Sequence, residues 1–174
     1  FYNNTTGSGN AVLGVDALTS NPTGALNTAI GYLALNANTT ASYNTGLGYQ
    51  AGYAITTGQY NTALGRGAMS GSAGVTSDEN TAVGNNSLRL LTSGAGNAAL
   101  GSSALGSNTT GGQNTALGTY ALISNTTSSS NTGVGYQAGY SNTTGSQNTF
   151  VGYQSAYSNT TGVSNATLGN NSLN

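Results

Sequence analysis

The chain has 174 residues, enough for one domain, and only five of them are charged: Asp16, Arg66, Asp78, Glu79 and Arg89. There is no Lys, His, Cys or Trp, which excludes disulfides and thiolate metal sites, and the formal net charge is −1. This balance gives no electrostatic reason to expect nucleic acid as a partner. No apolar run approaches the roughly 18 residues of a membrane-spanning helix, so membrane insertion is not expected either.

From its first residues to its last, the sequence consists of copies of one repeated unit. Each unit opens with Asn and has the consensus N-T-A-(I/L/V)-G-Y-x-A-x-x-x-N-T-T-G-x-x. Successive units are 17 residues apart, except for one spacing of 19. We therefore expect one repeat domain over residues 1–174. The opening residues, which define position 1 of each unit, are Asn10, Asn27, Asn44, Asn61, Asn80, Asn97, Asn114, Asn131, Asn148 and Asn165.

Three positions within the unit are nearly fixed. Position 5 is always Gly, as in Gly31 and Gly101, which suggests a backbone bend that a side chain would obstruct. Position 8 is always Ala or Ser. Position 4 is always aliphatic, and its members form the predicted core or interface ladder: Leu13, Ile30, Leu47, Leu64, Val83, Leu100, Leu117, Val134, Val151 and Leu168.

A unit this short and this rich in Gly, Asn, Thr and Ser is too short for a helical hairpin and poor in helix propensity. In the unit 27–43 we expect one strand at 28–30, a second strand at 32–35, and a return turn at 38–40. Each unit would then form one coil of an all-β parallel β-solenoid, or β-roll, of ten coils. Coils stacked about 4.8 Å apart would give a rod on the order of 50 Å long.

The alternation of side chains along a strand bears on assembly. Ala29 and Ile30 are neighbours in the first predicted strand, so they must point to opposite faces, yet both are apolar. One face can line the inside of the coil, while the other would leave a continuous apolar stripe along the rod. Stripes of this kind mark interfaces, and identical copies around a common axis are the simplest partners. We therefore expect an obligate oligomer.

The pattern N-x-A-(I/L/V)-G-x-x-(A/S) resembles the head repeats of YadA-like trimeric autotransporter adhesins. It is also similar to Asn/Thr-rich repeats of bacterial surface proteins and of phage tail-fibre-like proteins. The resemblance covers the whole chain and implies a left-handed, trimeric β-roll at a cell surface or on an extracellular fibre. The period of 17 differs from the 14 of typical adhesin heads, and the sequence contains neither a coiled-coil stalk, nor a membrane anchor, nor an intramolecular chaperone.

Catalytic chemistry finds no support in the composition. A nucleophilic Ser would need a basic partner, and there is no His or Lys. Asp78 and Glu79 are adjacent, so in an extended segment their carboxylates diverge, and Asp16 lies almost four coils away. One acidic pair is a weak case for a metal site. We expect neither an enzyme nor a bound cofactor or metal.

The unit 61–79 carries two extra residues near 70–74 and holds three of the five charges. One interpretation is a surface bulge in which Arg66 or Arg89 pairs loosely with Asp78 or Glu79. The other is a recognition loop or a lateral contact, which makes Arg66, Asp78 and Glu79 candidate surface contacts.

Tyrosines recur at position 6 and position 10 of the unit, where stacked rings stabilise solenoids and exposed rings suit the binding of surface glycans. Tyr53, Tyr140 and Tyr157, all at position 10, are therefore candidate surface contacts. Six Asn-Thr-Thr sequences match the N-glycosylation pattern and also fit turns. They begin at Asn4, Asn38, Asn108, Asn125, Asn142 and Asn159.

Three functions remain open from the sequence. The first is a structural subunit of an extracellular fibre, with lateral trimers and head-to-tail stacking between ends of nearly matching repeat phase, Phe1 and Asn174. The second is a glycan-binding adhesin or tail-fibre module. The third is an ice-binding solenoid, for which the Thr pairs such as Thr39-Thr40 lie at the turn rather than on a flat strand. The monotony of the repeat favours the first.

Overall fold

A computed structural model describes residues 3–71 and 74–173 of the chain. Regular secondary structure in these ranges consists of ten strands of three residues each, one per unit, at positions 2–4. The end residues Phe1, Tyr2 and Asn174 and the inserted Ser72 and Ala73 lie outside the described residues. The strands are β1 Ala11–Leu13, β2 Thr28–Ile30, β3 Thr45–Leu47, β4 Thr62–Leu64, β5 Thr81–Val83, β6 Ala98–Leu100, β7 Thr115–Leu117, β8 Thr132–Val134, β9 Thr149–Val151 and β10 Ala166–Leu168.

The ten strands form one parallel sheet in strict chain order, β1 to β10. Equivalent residues pair throughout: Thr28 pairs with Thr45, and Ile30 pairs with Leu47. The register passes unchanged across the 19-residue unit, where Thr62 pairs with Thr81. The predicted β-solenoid with one repeat per coil is therefore confirmed, and the two extra residues leave the sheet undisturbed.

The inside of the coil is narrow and is filled by small side chains and Leu. At position 3 the strand turns Ala29, Ala63 and Ala82 inward, all fully buried. From the opposite side, the small residue at position 8 and most often Leu or Met at position 9 pack against them, as Ala34 and Leu35 do. Position 4 points the other way, so the ladder from Leu13 to Leu168 lies outside the core of the single chain.

The second strand expected at 32–35 does not form; this segment is a continuous turn. Leu33 and Leu35 have positive φ values of 56° and 49°, and an extended strand cannot contain such residues. Their N–H groups consequently point to opposite neighbours. The Leu33 N–H donates to the Val15 carbonyl of the preceding coil, and the Leu35 N–H donates to the Ala51 carbonyl of the following coil, both at 3.0 Å. The turn thus satisfies its backbone between coils as a strand would.

A buried column of Asn at position 1 joins each coil to the next. The Oδ1 atom of Asn27 accepts the backbone N–H of Asn44 at 2.9 Å. Its Nδ2 group donates to the Ala41 carbonyl, at the far end of the same coil, at 2.9 Å. The same backbone contact recurs in all nine steps from Asn10 to Asn165. The Asn27 amide therefore both closes its own coil and sets the height of the following one.

The Gly at position 5 is required by conformation and by space. Gly101 has φ of +139°, and a Cβ there would lie 2.5 Å from the carbonyl carbon and oxygen of Gly118 in the next coil. We expect Gly101→Ala to lower the free energy of unfolding by about 3 kcal/mol or more, because neither backbone can move without breaking the sheet. Chemical denaturation at a fixed protein concentration measures this loss.

Gly96→Ala is the matched control. Gly96 also has a positive φ, +68°, but a Cβ there would meet only the flexible Gln113 side chain at 3.8 Å. Its expected cost is about 1 kcal/mol, that of the left-handed conformation alone. Equal losses in the two variants would contradict the proposed role of the contact between coils.

Phe150 fills a gap that a neighbouring Gly leaves in the core. It takes the place of Ala at position 3 and is fully buried, while Gly139 replaces the usual Leu at position 9 of the preceding coil. A Cβ on Gly139 would lie 2.5 Å from the Phe150 ring. The larger side chain at position 3 is therefore accommodated by the smaller one at position 9 of the preceding coil.

Phe150→Ala should cost about 3–5 kcal/mol because it leaves a cavity. Gly139→Leu should also destabilise the protein, since the new side chain collides with the ring. The double variant restores the Ala and Leu of other coils and should be more stable than the sum of the single effects predicts, which a double-mutant cycle by denaturant unfolding measures. Additive losses would show that the two positions do not share this space.

Candidate functional site

The face of the sheet that points away from the core is the largest candidate surface, and we call it the outer sheet face. It consists of positions 2 and 4 of the ten strands, which lie on the same side because side chains alternate along a strand. Position 2 contributes Thr28, Thr45, Thr62, Thr81, Thr115, Thr132 and Thr149, with Ala11, Ala98 and Ala166 in the other three units. Position 4 contributes the aliphatic ladder.

The ladder is accessible along its whole length. Its leucines are 38–82 % exposed, and Ile30, Val83, Val134 and Val151 are partly buried. The five charged residues occupy other positions of the unit, so the outer sheet face carries no charge. Around Ala98 and Leu100 it forms a shallow apolar depression with Leu117. The ladder thus has the composition of an interface, and the single chain leaves it uncovered.

The threonines at position 2 were not singled out from the sequence. Within the described part of the chain their hydroxyl groups have no hydrogen-bond partner, in contrast to the threonines of the return turn. There, Thr39 Oγ1 donates to the Thr56 carbonyl and Thr109 Oγ1 donates to the Thr126 carbonyl, both at 3.1 Å. The sequence did contain a signal for this surface. Positions 2 and 4 are two residues apart in a predicted strand, so their side chains must share one face.

Tyrosines stack from coil to coil in three separate columns. At position 6, Tyr32 stacks on Tyr49 and Tyr136 on Tyr153, with ring centroids 5.4 and 5.3 Å apart. At position 17, Tyr43 stacks on Tyr60 at 4.9 Å. At position 10, Tyr140 stacks on Tyr157, also at 4.9 Å. Tyr53 lies in the same column as this last pair but stands between Asn36 and Ser70 in neighbouring units. Since the rings are only partly covered, the columns offer aromatic surface along the rod.

The structure separates the charges that were expected to pair. Among the described residues, neither Arg66 nor Arg89 has a carboxylate within 4 Å, because the side chains occupy different edges of the coil. Asp78 lies just before the next strand, where its Oδ1 accepts the backbone N–H of Gln59 at 2.7 Å. Arg66 and Arg89 lie after the strand, at positions 6 and 10. Both line one cleft, and Arg66 also lies over the Tyr49 ring at 5.7 Å.

The Asn-Thr-Thr sequences lie in the wall of the coil and not on an open loop. The side chains of Asn38, Asn108, Asn125 and Asn142 are completely buried. Asn125 donates to the Asn108 Oδ1 and to the Ser128 carbonyl, both at 3.0 Å. A glycan attached to these four amides would be incompatible with the folded coil.

Other kinds of site find little support in the described ranges. No group of three or more His, Cys, Asp or Glu side chains lies close enough together to hold a metal ion within the residues that the structure describes. In the same residues no helix is long and apolar enough to cross a membrane.

Comparison with known proteins gives no relative to reason from. No protein-family model, no curated protein sequence and no solved structure matches the chain.

Asn38 is the weak point of its buried column. Among the described residues, its buried Nδ2 and Oδ1 atoms have no hydrogen-bond partner. Ile55 replaces Asn in the following coil, so no amide there donates to the Asn38 Oδ1 as Asn125 donates to that of Asn108. Asn38→Leu should raise the free energy of unfolding by about 1–2 kcal/mol, since it removes two unsatisfied groups and extends an apolar column that already contains Ile55 and Leu91. Denaturant unfolding at a fixed protein concentration measures the gain.

Asn125→Leu is the control, because Asn125 occupies the same position with its hydrogen bonds made. It should cost about 1–3 kcal/mol. A loss of stability in both variants would mean that Asn38 has partners in solution.

Proposed function

We propose that the chain is a structural subunit of an extracellular fibre, in which three chains pack side by side through their outer sheet faces. The single observation that carries this proposal is the uncharged Thr–aliphatic surface that runs without interruption through ten coils. Depletion of charge is the compositional mark of an interface core. A location outside the cell or at its surface, and left-handed winding, follow only from the resemblance to adhesin and tail-fibre repeats.

The energetics favour burial of this surface. Nine steps of about 4.8 Å make it roughly 45 Å long. Apolar patches beyond a few hundred Å² are rarely left exposed on monomers. Half-exposed side chains such as Leu100 and Leu117 would each contribute about 1 kcal/mol on burial. The free Thr hydroxyls beside them can hydrogen bond across the interface or to bound water.

Symmetry also favours side-by-side packing. Since equivalent residues are stacked in register from β1 to β10, a rotation axis parallel to the rod brings every coil against its counterpart at the same height. Growth along the axis uses the same ladders, because the outer strands β1 and β10 each have one unpaired edge that a further coil can occupy. That coil can belong to the same chain or to another copy. The fibre would thus combine lateral packing with axial stacking.

Ice binding is a second candidate, and one observation favours it. The Thr row at position 2 lies on a regular strand surface beside an aliphatic row. Ice-binding faces need Thr on a flat strand, and the threonines of the return turn do not lie on one. The two functions exclude each other on this face, because a trimer would cover it. Thermal hysteresis together with a monomeric mass would favour ice binding and contradict the fibre proposal.

The fibre proposal predicts the effect of one charge on the outer sheet face. Leu100→Asp should dissociate the assembly and leave the coil folded, because Leu100 is 48 % exposed in the single chain and contributes little to its core. Sedimentation should show three times the 17.1 kDa chain mass for the unmodified protein and a smaller species for the variant.

Thr127→Asp introduces the same charge at an exposed position of the return turn and should leave the mass unchanged. The proposal fails if the unmodified chain sediments as a stable monomer. It also fails if both variants keep the full mass, provided that circular dichroism shows folded protein in each case.

A further inference from the structure

The only two basic side chains of the sequence, Arg66 and Arg89, line one cleft of about 470 Å³, although they belong to consecutive units. We propose that this cleft, which we call the arginine cleft, binds a carboxylate-bearing sugar of an acidic polysaccharide. The inference goes beyond the fibre role, because it concerns one place on the rod and not its repeated surface.

The cleft owes its shape to a local loss of side-chain volume. Position 10 carries Arg89 in one coil and Ile123 two coils later, but Gly106 stands between them. Position 7 changes in the same way, from Ser103 to Tyr120 in the following coil. Small residues in the unit 97–113 therefore form the floor, while the longer side chains of the coils on either side form the walls.

The polar lining of the cleft consists of groups that can donate hydrogen bonds. These groups are the guanidinium groups of Arg66 and Arg89, the Asn86 amide, and the hydroxyls of Ser103 and Ser107. No carboxylate lines the cleft. In the part of the chain that the structure describes, none of these five side chains makes a hydrogen bond or an ion pair with another residue. The two cations therefore lack a counterion among the described residues, and an anionic ligand would supply one.

A carboxylate fits this lining, because a planar guanidinium can bind both of its oxygens at once. The surroundings favour a sugar as the carrier. Ile123 gives one end of the cleft an apolar wall, and Arg66 continues the aromatic stack of Tyr32 and Tyr49, on which a pyranose ring can pack. A volume of about 470 Å³ lies within the range of small-ligand pockets. Two cations on a chain of net charge −1 are too few for the backbone of a nucleic acid.

The test uses the assembled protein and a short oligogalacturonate, with neutral dextran oligosaccharide as the reference, in isothermal titration calorimetry at low salt. We expect binding of the uronate and none of dextran. Arg66→Gln and Arg89→Gln should each weaken the uronate affinity by about tenfold or more, because each removes a charge-assisted contact. Ser103→Tyr should also abolish binding by filling the cleft, and Tyr120 shows that Tyr is accepted at position 7.

Gln113→Glu is the matched control for charge. It lowers the net charge by the same amount at an exposed residue that does not line the cleft, in the position that Glu79 occupies in another unit. Its affinity should stay within about twofold, because distant exposed charges are screened. Equal weakening in Gln113→Glu and Arg89→Gln would reduce the effect to net charge and overturn the proposal. So would equal binding of dextran, or unchanged binding in all three cleft variants.

Sedimentation of the same samples separates this inference from the fibre proposal. Intact assembly without uronate binding would overturn the arginine cleft and leave the fibre role standing. If a monomeric chain binds uronate and the cleft variants lose this binding, the arginine cleft stands and the fibre proposal fails.

Discussion

The register of one coil on the next is the constraint on which the whole structure depends. The Asn amide at position 1, buried in all but the two end units, sets this register. Asn27 shows how this works: its Oδ1 accepts from Asn44 in the next coil, while its Nδ2 donates to Ala41 at the end of its own coil. An amide is suited to this because it carries donor and acceptor at a fixed distance. Losing either contact would leave a buried polar group unsatisfied, which costs about 1–3 kcal/mol. Hence position 1 is Asn in all ten units.

The same demand for backbone partners explains the unusual conformation of the rest of the coil. A 17-residue coil with one three-residue strand must turn sharply elsewhere while keeping its N–H and C=O groups aimed at neighbouring coils. Residues with positive φ at positions 7, 9 and 17, such as Leu33, Leu35 and Leu26, achieve this. Each left-handed residue costs roughly 1 kcal/mol, which the contacts between coils offset. Position 5 is the exception, since its φ near +130° and the adjoining backbone together admit only Gly.

Periodicity predicted the repeated sheet, but it predicted neither the conformation of the segment after the strand nor the places where a single coil differs from its neighbours. The spacing of Asn10 to Asn165 and the pattern Thr28-Ala29-Ile30 were sufficient for the solenoid, the strand and the opposed faces. The strand predicted at 32–35 was wrong. Tyr, Leu and Ala fit a strand as well as they fit a turn, and the sequence does not indicate that Leu33 and Leu35 have positive φ. The choice of Ala29 for the core and Ile30 for the surface was not evident either, since both are apolar. The packing of Phe150 against Gly139 and the shared cleft of Arg66 and Arg89 depend on contacts between particular coils. A consensus repeat does not contain this information.

Variation among the ten units itself argues that the outer sheet face is constrained from outside the chain. Positions 4 and 10 both point away from the core. Position 10 varies freely, with Thr19, Asn36, Arg89, Gly106 and Tyr140 among its members, as expected for a surface that no repeated partner covers. Position 4 is Leu, Ile or Val in every unit, although Leu100 and Leu117, in the middle of the rod, are 48 % and 42 % exposed. Nothing within the single coil demands an aliphatic residue there, because the core is closed by Ala29 and its equivalents. A surface that faces solvent but carries only aliphatic side chains at this position supports the proposal that a partner covers it along its length. Another copy of this rod is the partner we propose, because it repeats at the same 17-residue interval.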